Sequence, residues 1–317
     1  MSTPKTKPEV GWIGVGAMGT PMCTNLLQGG YTVRVFDREP ARCAALRPSG
    51  AEVAPSLAAL ASGADVVFST IFDDEGLRDI VLGTSGVAAH GRAGSVFVDM
   101  STVSPAASAS VAPVLAERGI HYLRAPVSGA VPLATSARLS TFVSGPREVF
   151  DRVRPLLEHF TAKQSWVGAN DEARAIKLTI NLLLYMNTAA LGEALEFGAR
   201  AGLDRETMLD AINDSVVASV HYRTKAEPLK RRDYAPVGPI ALAMKDMNLA
   251  LAVAQANGAQ LPIARGVHGT LAALAQHGLG QFDVAALADS RDLLATHPAV
   301  PIASTADDTH EARPDET

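Results

Sequence analysis

Residues 10–19 read VGWIGVGAMG, and this stretch decides the fold of the chain. Its first part, Val10–Ile13, is a short apolar run typical of a buried strand. A Gly-x-Gly-x-x-Gly motif follows and opens a helical pattern, which is the context in which this motif binds a dinucleotide rather than forming a glycine-rich turn without a ligand. Gly14 permits the tight turn, Gly16 lets a pyrophosphate approach the backbone, and Gly19 lets helix and strand pack closely. The residues predicted to contact the cofactor here are Gly14, Gly16, Ala17, Met18 and Gly19.

One acidic residue bears on which dinucleotide the turn favours. Asp37 ends the second predicted strand, eighteen residues after Gly19. A carboxylate at that place accepts hydrogen bonds from the adenine ribose of NAD and repels the 2′-phosphate of NADP. Arg38 is the next residue, and its guanidinium either binds that phosphate or lies in solvent as a loop charge. We therefore predict that Asp37 and Arg38 contact NAD or NADP, with NAD favoured by Asp37.

Short β-branched runs alternate with helical patterns over the first half of the chain, as in a doubly wound sheet. The predicted strands are Val10–Ile13, Thr32–Phe36, Asp65–Thr70, Ser95–Asp99, Ile120–Arg124, Leu139–Ser144 and Gln164–Val167. The predicted helices are Thr20–Gln28, Ala41–Leu46, Ser56–Ala61, Asp74–Leu82, Ala106–Arg118 and Arg147–Phe160. The predicted fold class is α/β, a doubly wound Rossmann-type parallel sheet followed by an all-α second domain.

Beyond Gly168 the strand patterns stop. Residues 170–200 have a helical period, and prolines divide the Ala- and Leu-rich sequence that follows. We predict a dinucleotide-binding domain over residues 1–168 and an all-helical substrate and oligomerisation domain over residues 169–298, which begins with a long interdomain helix. The polar, acidic segment 299–317 is predicted to be a disordered tail.

Residues 177–181 read KLTIN inside the long apolar helix, and they carry the predicted chemistry. Lys177 and Asn181 are four residues apart, so they lie one above the other on the same helix face. An ammonium among Leu, Ile, Ala and Met side chains is costly to desolvate unless it is paired or functional. Burial beside an oxidised nicotinamide would lower the pKa of Lys177 from about 10.4 towards the range of efficient proton transfer. The alternative is a lysine that extends from the helix start into solvent.

Composition and charge exclude several classes of protein. The 317 residues include 28 Lys and Arg against 33 Asp and Glu, a net charge of -5, which is unlike the basic footprint of a nucleic-acid binder. Polar residues interrupt the longest apolar run before it reaches membrane-spanning length, and no signal peptide is visible. Cys23, Cys43 and the histidines show no metal-ligand spacing. We expect no metal, no membrane, no nucleic acid and a reduced, cytoplasmic compartment.

Taken together, these motifs resemble those of the β-hydroxyacid dehydrogenases, the family of 3-hydroxyisobutyrate dehydrogenase and tartronate semialdehyde reductase. The similarity covers about residues 9–290. Four segments carry it in order: GWIGVGAMG at 11–19 with the strand that ends in Asp37-Arg38, DMSTVSP at 99–105, APVSG at 125–129, and KLTIN at 177–181 with Lys245-Asp246 downstream. The resemblance implies an NAD(P)-dependent enzyme that forms a dimer or tetramer through its helical domain.

The resemblance also implies roles for particular residues. Lys177 matches the general acid/base of the family, and Asn181 matches the residue that orients substrate and lysine. Thr102 matches the residue near the nicotinamide, and Lys245 matches the lysine near both substrate and cofactor. The residues predicted to bind the substrate carboxylate are Ser128, Gly129, Ala130 and Lys245. From the residues alone, an ordinary turn at the Ser-Gly step and a solvated surface pair at Lys245-Asp246 both stay open.

The loop after Arg124 departs from the family pattern. The family usually has Asp-Ala-Pro-Val-Ser-Gly-Gly, then Gly-Ala and Gly-Thr-Leu. This chain has Arg124 at the place of the acid, then Ala130, Leu133-Ala134 and Ala137-Arg138-Leu139. The usual Asn-Asn pair of the long helix is Ile180-Asn181. These changes keep the chemical groups but put the usual small substrates in doubt, and Arg138 is either a further anion contact or an exposed charge.

We predict an oxidoreductase that transfers a hydride between a nicotinamide cofactor and a small anionic 3-hydroxy acid or its semialdehyde, with Lys177 as general acid/base. An imine reductase is an alternative, although those proteins generally carry Asp or Tyr at the place of Lys177. A decarboxylating phosphogluconate enzyme shares the Lys and Asn but has a much longer helical domain. A non-catalytic dinucleotide-binding protein would keep the fold without turnover, and the altered loop 130–138 leaves this alternative open.

Overall fold

The computed structural model describes residues 7–299 of the chain. Its strands are β1 (Val10–Ile13), β2 (Val33–Phe36), β3 (Glu52–Val53), β4 (Val66–Ser69), β5 (Val96–Asp99), β6 (His121–Arg124), β7 (Val127–Ser128), β8 (Leu139–Ser144) and β9 (Thr161–Gly168). Its α-helices are α1 (Gly19–Gln28), α2 (Pro40–Ala44), α3 (Leu57–Gly63), α4 (Asp74–Leu82), α5 (Val87–His90), α6 (Pro105–Glu117), α7 (Val131–Thr135), α8 (Arg147–Leu157), α9 (Glu172–Arg200), α10 (Arg205–Asp214), α11 (Val220–Arg231), α12 (Ile240–Asn257), α13 (Pro262–Leu274) and α14 (Ser290–Thr296). The predicted tail lies outside the described residues, apart from residue 299.

The strand order places a crevice beside the glycine turn. The strands run β3-β2-β1-β4-β5-β6-β8-β7, with β9 beside β8. All neighbours are parallel except β8, which is antiparallel to β6 and to β7. The chain order reverses between β1 and β4, and sheets of this kind bind ligands at the carboxyl ends of the strands at such a reversal. The predicted fold class is confirmed.

The central strands are buried on both faces, as helices on both sides of a parallel sheet require. All residues of β1, β4 and β5 are buried. Trp12 stacks on Phe68 with 5.1 Å between ring centroids and meets Phe160 edge-on at 5.6 Å. The Trp12 indole N–H also donates to Thr70 Oγ1 at 3.1 Å. This aromatic cluster therefore fixes the strand that leads into the glycine turn.

Helix α9 connects the sheet to the helices that follow it. It packs on β8 and β9, on α10, α12 and α13, and on the 3-10 segment Val284–Asp289. At Gly192 an added Cβ would come within 2.4 Å of the Ala288 carbonyl oxygen, so only glycine allows this close approach. Helix α9 thus packs both on the sheet and on the later helices. We propose that the two domains divide at residue 168, between β9 and α9. Within residues 7–299, no helix has the length and apolar character that crossing a bilayer requires.

The prediction missed four short elements and misplaced two element boundaries. Strands β3 and β7 and helices α5 and α7 were absent from the prediction, because two to five residues are too few to show a period. Strand β9 is twice the predicted Gln164–Val167, and α8 ends before the predicted Phe160. Phe160 lies beyond the helix end, edge-on to Trp12 and Phe68. The remaining predicted boundaries agree within two residues.

Candidate active site

The three glycines of the turn each meet a different requirement. Gly14 has φ +85°, and a Cβ there would lie 2.3 Å from the Thr70 carbonyl oxygen. A Cβ on Gly19 would lie 2.1 Å from the Gly14 carbonyl oxygen, so helix and turn could not approach each other. Gly16 faces open space, because a Cβ there would meet only a guanidinium nitrogen of Arg42 within 4 Å, at 3.8 Å. The turn therefore leaves its backbone accessible at the place where a pyrophosphate would lie.

The start of α1 fits a dinucleotide phosphate. Among residues 7–299 no side chain caps this helix, and Ala17 at its start is exposed. Its first N–H groups and its dipole are thus available to an anion. A cleft of about 650 Å³ opens here, lined by Gly16, Ala17 and Thr20, by Arg42, and by α7. The residues present therefore fit the phosphate portion of NAD or NADP.

Asp37 lies at the end of β2 beside the turn, with a carboxylate that is only 8% exposed. One oxygen accepts from the Val15 N–H and the other from the Glu39 N–H, both at 2.9 Å. The carboxylate thus braces the glycine turn, and each oxygen keeps a second lone pair for a ribose hydroxyl. Arg38 is exposed, while Arg42 pairs with Glu39 at 2.8 Å.

Helix α9 presents a polar stripe to the interior. Arg174, Lys177, Asn181 and Tyr185 follow one another at three- and four-residue spacing, so they share one helix face. Arg174, Asn181 and Tyr185 are buried, and Lys177 is partly buried. Burial lowers the pKa of the Lys177 amine; the Asp246 carboxylate opposes this effect and the Lys245 ammonium adds to it. The neutral amine is therefore more accessible here than in a solvent-exposed lysine.

Asp246 on α12 holds the middle of this stripe in place. Its Oδ2 accepts from Asn181 Nδ2 at 2.7 Å and from the Tyr185 hydroxyl at 3.0 Å. Because the Asn181 amide nitrogen is committed to this carboxylate, its carbonyl oxygen is left to accept from the lysine or a ligand. Asp246 is 3% exposed, so the Lys245-Asp246 pair is not a solvated surface feature. No role was predicted for Asp246 or Tyr185, although position 185 continues the four-residue spacing from 177 and 181.

Lys245 connects α12 to the loops at the carboxyl ends of β4 and β5. Its Nζ donates to the Thr102 carbonyl oxygen at 2.7 Å and to the Phe72 carbonyl oxygen at 3.0 Å. It also lies 3.0 Å from Asp246 Oδ1 and 5.4 Å from the centre of the Phe72 ring. The structure thus brings Lys245 and Thr102 together at the crevice, next to Asp246 and Asn181.

The Ser-Gly loop is part of a short hairpin and not an isolated turn. Ser128 ends β7 and pairs with Ser140 of β8. Gly129 has φ +129°, and a Cβ there would lie 2.7 Å from Leu139 Cδ2 and 3.0 Å from Leu133 Cδ1. Ala130 precedes α7 in extended conformation. Within residues 7–299 the Ser128 hydroxyl has no hydrogen-bond partner, so it remains available to a ligand.

Comparison with known proteins agrees with this geometry. Residues 9–168 match the family model for the NAD binding domain of 6-phosphogluconate dehydrogenase, and residues 172–290 match that for the NAD-binding region of NADP-dependent 3-hydroxyisobutyrate dehydrogenase. The 2-(hydroxymethyl)glutarate dehydrogenase of Eubacterium barkeri is 35% identical over 280 residues, 88% of this chain and 93% of that protein. The chain belongs to the β-hydroxyacid dehydrogenase family. It is thus an NAD(P)-dependent oxidoreductase.

Solved structures separate this family from its neighbours. The 3-hydroxyisobutyrate dehydrogenase of Mycobacterium tuberculosis, solved with L-serine, superposes with a TM-score of 0.83 at 28% identity, covering 90% of this chain and 99% of that one. An imine reductase from Pseudomonas sp. has a TM-score of 0.58 at 20% identity over 90% of this chain and 100% of its own, a likeness of fold alone. The β-hydroxyacid dehydrogenase assignment therefore stands ahead of the imine reductase alternative.

The departures of this chain from the β-hydroxyacid dehydrogenase pattern are accommodated locally. Arg124, at the place of the usual acid, is buried and pairs with Asp171 at 3.0 Å. Ala137, at the place of a usual glycine, has φ +56°, a conformation that costs L-residues energy. Arg138 is exposed. Leu133, at the place of another usual glycine, lies next to Gly129, so the segment is bulkier here than in the usual pattern.

Proposed function

We propose that this protein catalyses hydride transfer between NAD(P) and a small 3-hydroxy acid or its semialdehyde, with Lys177 as general acid/base. The observation that carries the proposal is the polar stripe of α9, in which a partly buried amine of lowered pKa lies one turn before an asparagine held by Asp246. Structural lysines rarely occupy such a place unless they are paired. The family relatives named above act on substrates of this chemical class by their names.

The nicotinamide, when bound, accepts or donates the hydride. In the oxidative direction the neutral Lys177 amine takes the proton of the substrate hydroxyl, and in the reductive direction the ammonium donates a proton to the carbonyl oxygen. Asn181 offers its carbonyl oxygen to the amine or to the substrate, and Asp246 keeps its amide in that orientation. Because Asn181 does not titrate, it orients the reacting groups without competing for the proton.

The substrate carboxylate is assigned to Ser128, Gly129 and Ala130 on one side and to Lys245 on the other. Backbone N–H groups of a loop that follows a strand can converge on an anion. The Ser128 hydroxyl is unpartnered in the described chain, and Lys245 supplies a positive charge beside Thr102 at the carboxyl end of β5. Lys245 and Thr102 are also assigned to the nicotinamide end of the cofactor, because both lie at the carboxyl end of β5.

NAD is the preferred cofactor in this proposal. The Asp37 carboxylate is fixed by two backbone N–H groups, so it cannot turn away from a 2′-phosphate. The Arg42 guanidinium, 3.9 Å from Asp37, is already paired with Glu39 at 2.8 Å. The proposal predicts a higher kcat/KM with NAD than with NADP, and a smaller ratio in Asp37→Ser, which removes the repelling charge. A ratio that favours NADP in the wild type would refute the preference.

We also propose that copies of the chain associate through the helical part, in a reduced cytoplasmic setting. Large exposed apolar side chains are concentrated in the helical part, among them Phe197, Leu203, Val216, Val217 and Val220. A contiguous patch of such side chains would be an interface between copies. Light scattering at micromolar concentration should give a dimer or tetramer, and a monomer would contradict this assignment.

A turnover screen tests the proposed function. NAD and NADP are each paired with 3-hydroxy acids, semialdehydes and cyclic imines, for the wild type and for Lys177→Met. The proposal expects turnover of a hydroxy acid or semialdehyde, a kcat that falls by about 10²-fold or more in the variant, and unchanged cofactor affinity. Turnover of imines alone would refute the proposal and favour an imine reductase. Cofactor binding with no turnover at all would refute it and favour a non-catalytic protein.

A further inference from the structure

A second cluster of polar groups lies at the first turn of α9, outside the groups assigned to the reaction. Asp99, at the end of β5, is fully buried, and its Oδ1 accepts from Ser69 Oγ at 2.7 Å and from Ser101 Oγ at 2.6 Å. Its Oδ2 accepts from Arg174 Nη2, and Arg174 is 1% exposed. The carboxyl ends of β4 and β5 thus converge on one guanidinium of the helix.

The same guanidinium has further partners on the sheet. Arg174 Nη1 donates to the Ser101 carbonyl oxygen at 2.6 Å, and Nη2 donates to the Tyr122 hydroxyl on β6 at 3.0 Å. Such a planar fork fixes both the rotation of a helix and its position along the axis, which one point charge would not do. Arg174 is thus bonded to two neighbouring strands and to the segment after β5.

Stability alone does not account for the buried ion pair between Arg174 and Asp99. Within residues 7–299 the Nε of Arg174 is buried without a hydrogen-bond partner. Buried ion pairs can commonly be replaced by apolar side chains with no loss of stability, so a buried and incompletely satisfied pair calls for another reason. The helix register supplies one, because Lys177 follows Arg174 by three residues, about 4.5 Å along the axis.

We propose that Arg174 is a positioning residue for the reaction. With Asp99, it fixes the first turns of α9 on the sheet so that the Lys177 amine meets the substrate at the carboxyl ends of the strands that carry the cofactor. The Lys177 segment is then held at two points, by Arg174 before it and by the bond between Asn181 and Asp246 after it. The Arg124–Asp171 pair at the helix start adds to the first of these attachments. This inference rests on the proposed role of Lys177.

The test uses a variant that removes both charges, because Arg174→Met alone would leave a buried unpaired carboxylate and could fail to fold. In Arg174→Met with Asp99→Asn, the asparagine oxygen still accepts from the two serines. We expect this double variant to keep a wild-type circular dichroism spectrum, a cofactor Kd and a hydroxy acid KM within about threefold, and a kcat lowered by tenfold to a hundredfold, roughly the effect of a small misplacement of a reacting group. The single variant Arg174→Lys, which keeps the charge but not the fork, should give an intermediate kcat.

The matched control is Arg205→Met with Asp289→Asn, which removes a second, partly buried arginine–aspartate ion pair, with distances of 2.8 and 2.6 Å, from the helical part of the chain. It should leave kcat within twofold. A kcat within twofold in the Arg174 double variant, with Lys177→Met still inactive, would overturn the positioning role and leave the proposed function intact. An equal loss in the control pair would overturn it as well, because the effect would then be general. Undiminished turnover in Lys177→Met would overturn both.

Discussion

Gly129→Ala is the substitution whose cost can be worked out most directly from the structure. Gly129 has φ +129°, and its missing Cβ would lie 2.7 Å from Leu139 Cδ2 and 3.0 Å from Leu133 Cδ1. A φ this far into the positive range costs an L-residue about 1–3 kcal/mol. Both contacted carbons are the ends of leucine side chains that can turn aside, which adds about 1 kcal/mol. The free energy of unfolding should therefore fall by about 2–4 kcal/mol.

Gly258→Ala is the matched control. Gly258 ends α12 with φ +76°, and nothing lies within 4 Å of a Cβ there. This variant should lose only the conformational part, about 1–2 kcal/mol. The difference between the two variants then measures the combined cost of the more extreme φ at Gly129 and of displacing the two leucine side chains. Urea unfolding followed by circular dichroism gives both values.

The same pair of variants tests whether the Ser-Gly loop binds the substrate. Because Ser128 and Gly129 are assigned to the substrate carboxylate, a displaced loop in Gly129→Ala should raise the KM for the hydroxy acid while the cofactor Kd stays unchanged. Gly258→Ala should change neither value. Equal stability losses in the two variants would refute the packing argument, and an unaltered KM in Gly129→Ala would refute the assignment of the loop to the substrate.

Other measurements address the lysine and the hairpin. In the oxidative direction kcat should rise with pH through the pKa of Lys177 and level off below the ordinary lysine value of 10.5, because burial lowers that pKa; a limb that still rises above it would contradict the assignment. In Asp246→Asn the carboxylate that raises the pKa of Lys177 is lost, so the rising limb should move to lower pH, whereas Tyr185→Phe keeps the charge and should move it less. Ala137→Gly should raise the free energy of unfolding by up to about 1 kcal/mol. Glycine adopts the φ of +56° without strain, and its larger loss of conformational entropy on folding offsets only part of this gain. A lower unfolding midpoint in urea would contradict the presence of strain at Ala137.

The fold and the central pair of the site were accessible from local sequence patterns. The motif at 14–19 and the alternation of elements are short-range signals, and so is the four-residue spacing of Lys177 and Asn181. The structure bears out the doubly wound sheet, and it places the lysine and the asparagine on one face of α9.

The remaining features depend on contacts between distant parts of the chain. For Asp246, a solvated surface pair stayed open as an alternative, because its burial by Asn181 and Tyr185 depends on how α12 packs on α9. The replacement of the usual acid by Arg124 was visible, but not its pairing with Asp171, which lies 47 positions away. The positive φ of Ala137 had only an indirect signal, the glycine that is usual at this place in the family, because alanine itself does not indicate a left-handed conformation.

In the polar stripe of α9, the number of residues between positions 174 and 185 is more constrained than the identity of the residues in between. Residues 174, 177, 181 and 185 meet their partners because they recur with the period of the helix. Inserting or deleting one residue between them turns everything beyond that point by about 100° and shifts it by about 1.5 Å. The lysine and the asparagine would then no longer face the same crevice. Outward-facing positions such as Leu183, which is 53% exposed, are free to vary, whereas the spacing is not. Across related sequences, gaps should therefore be absent between positions 174 and 185 even where identities are few.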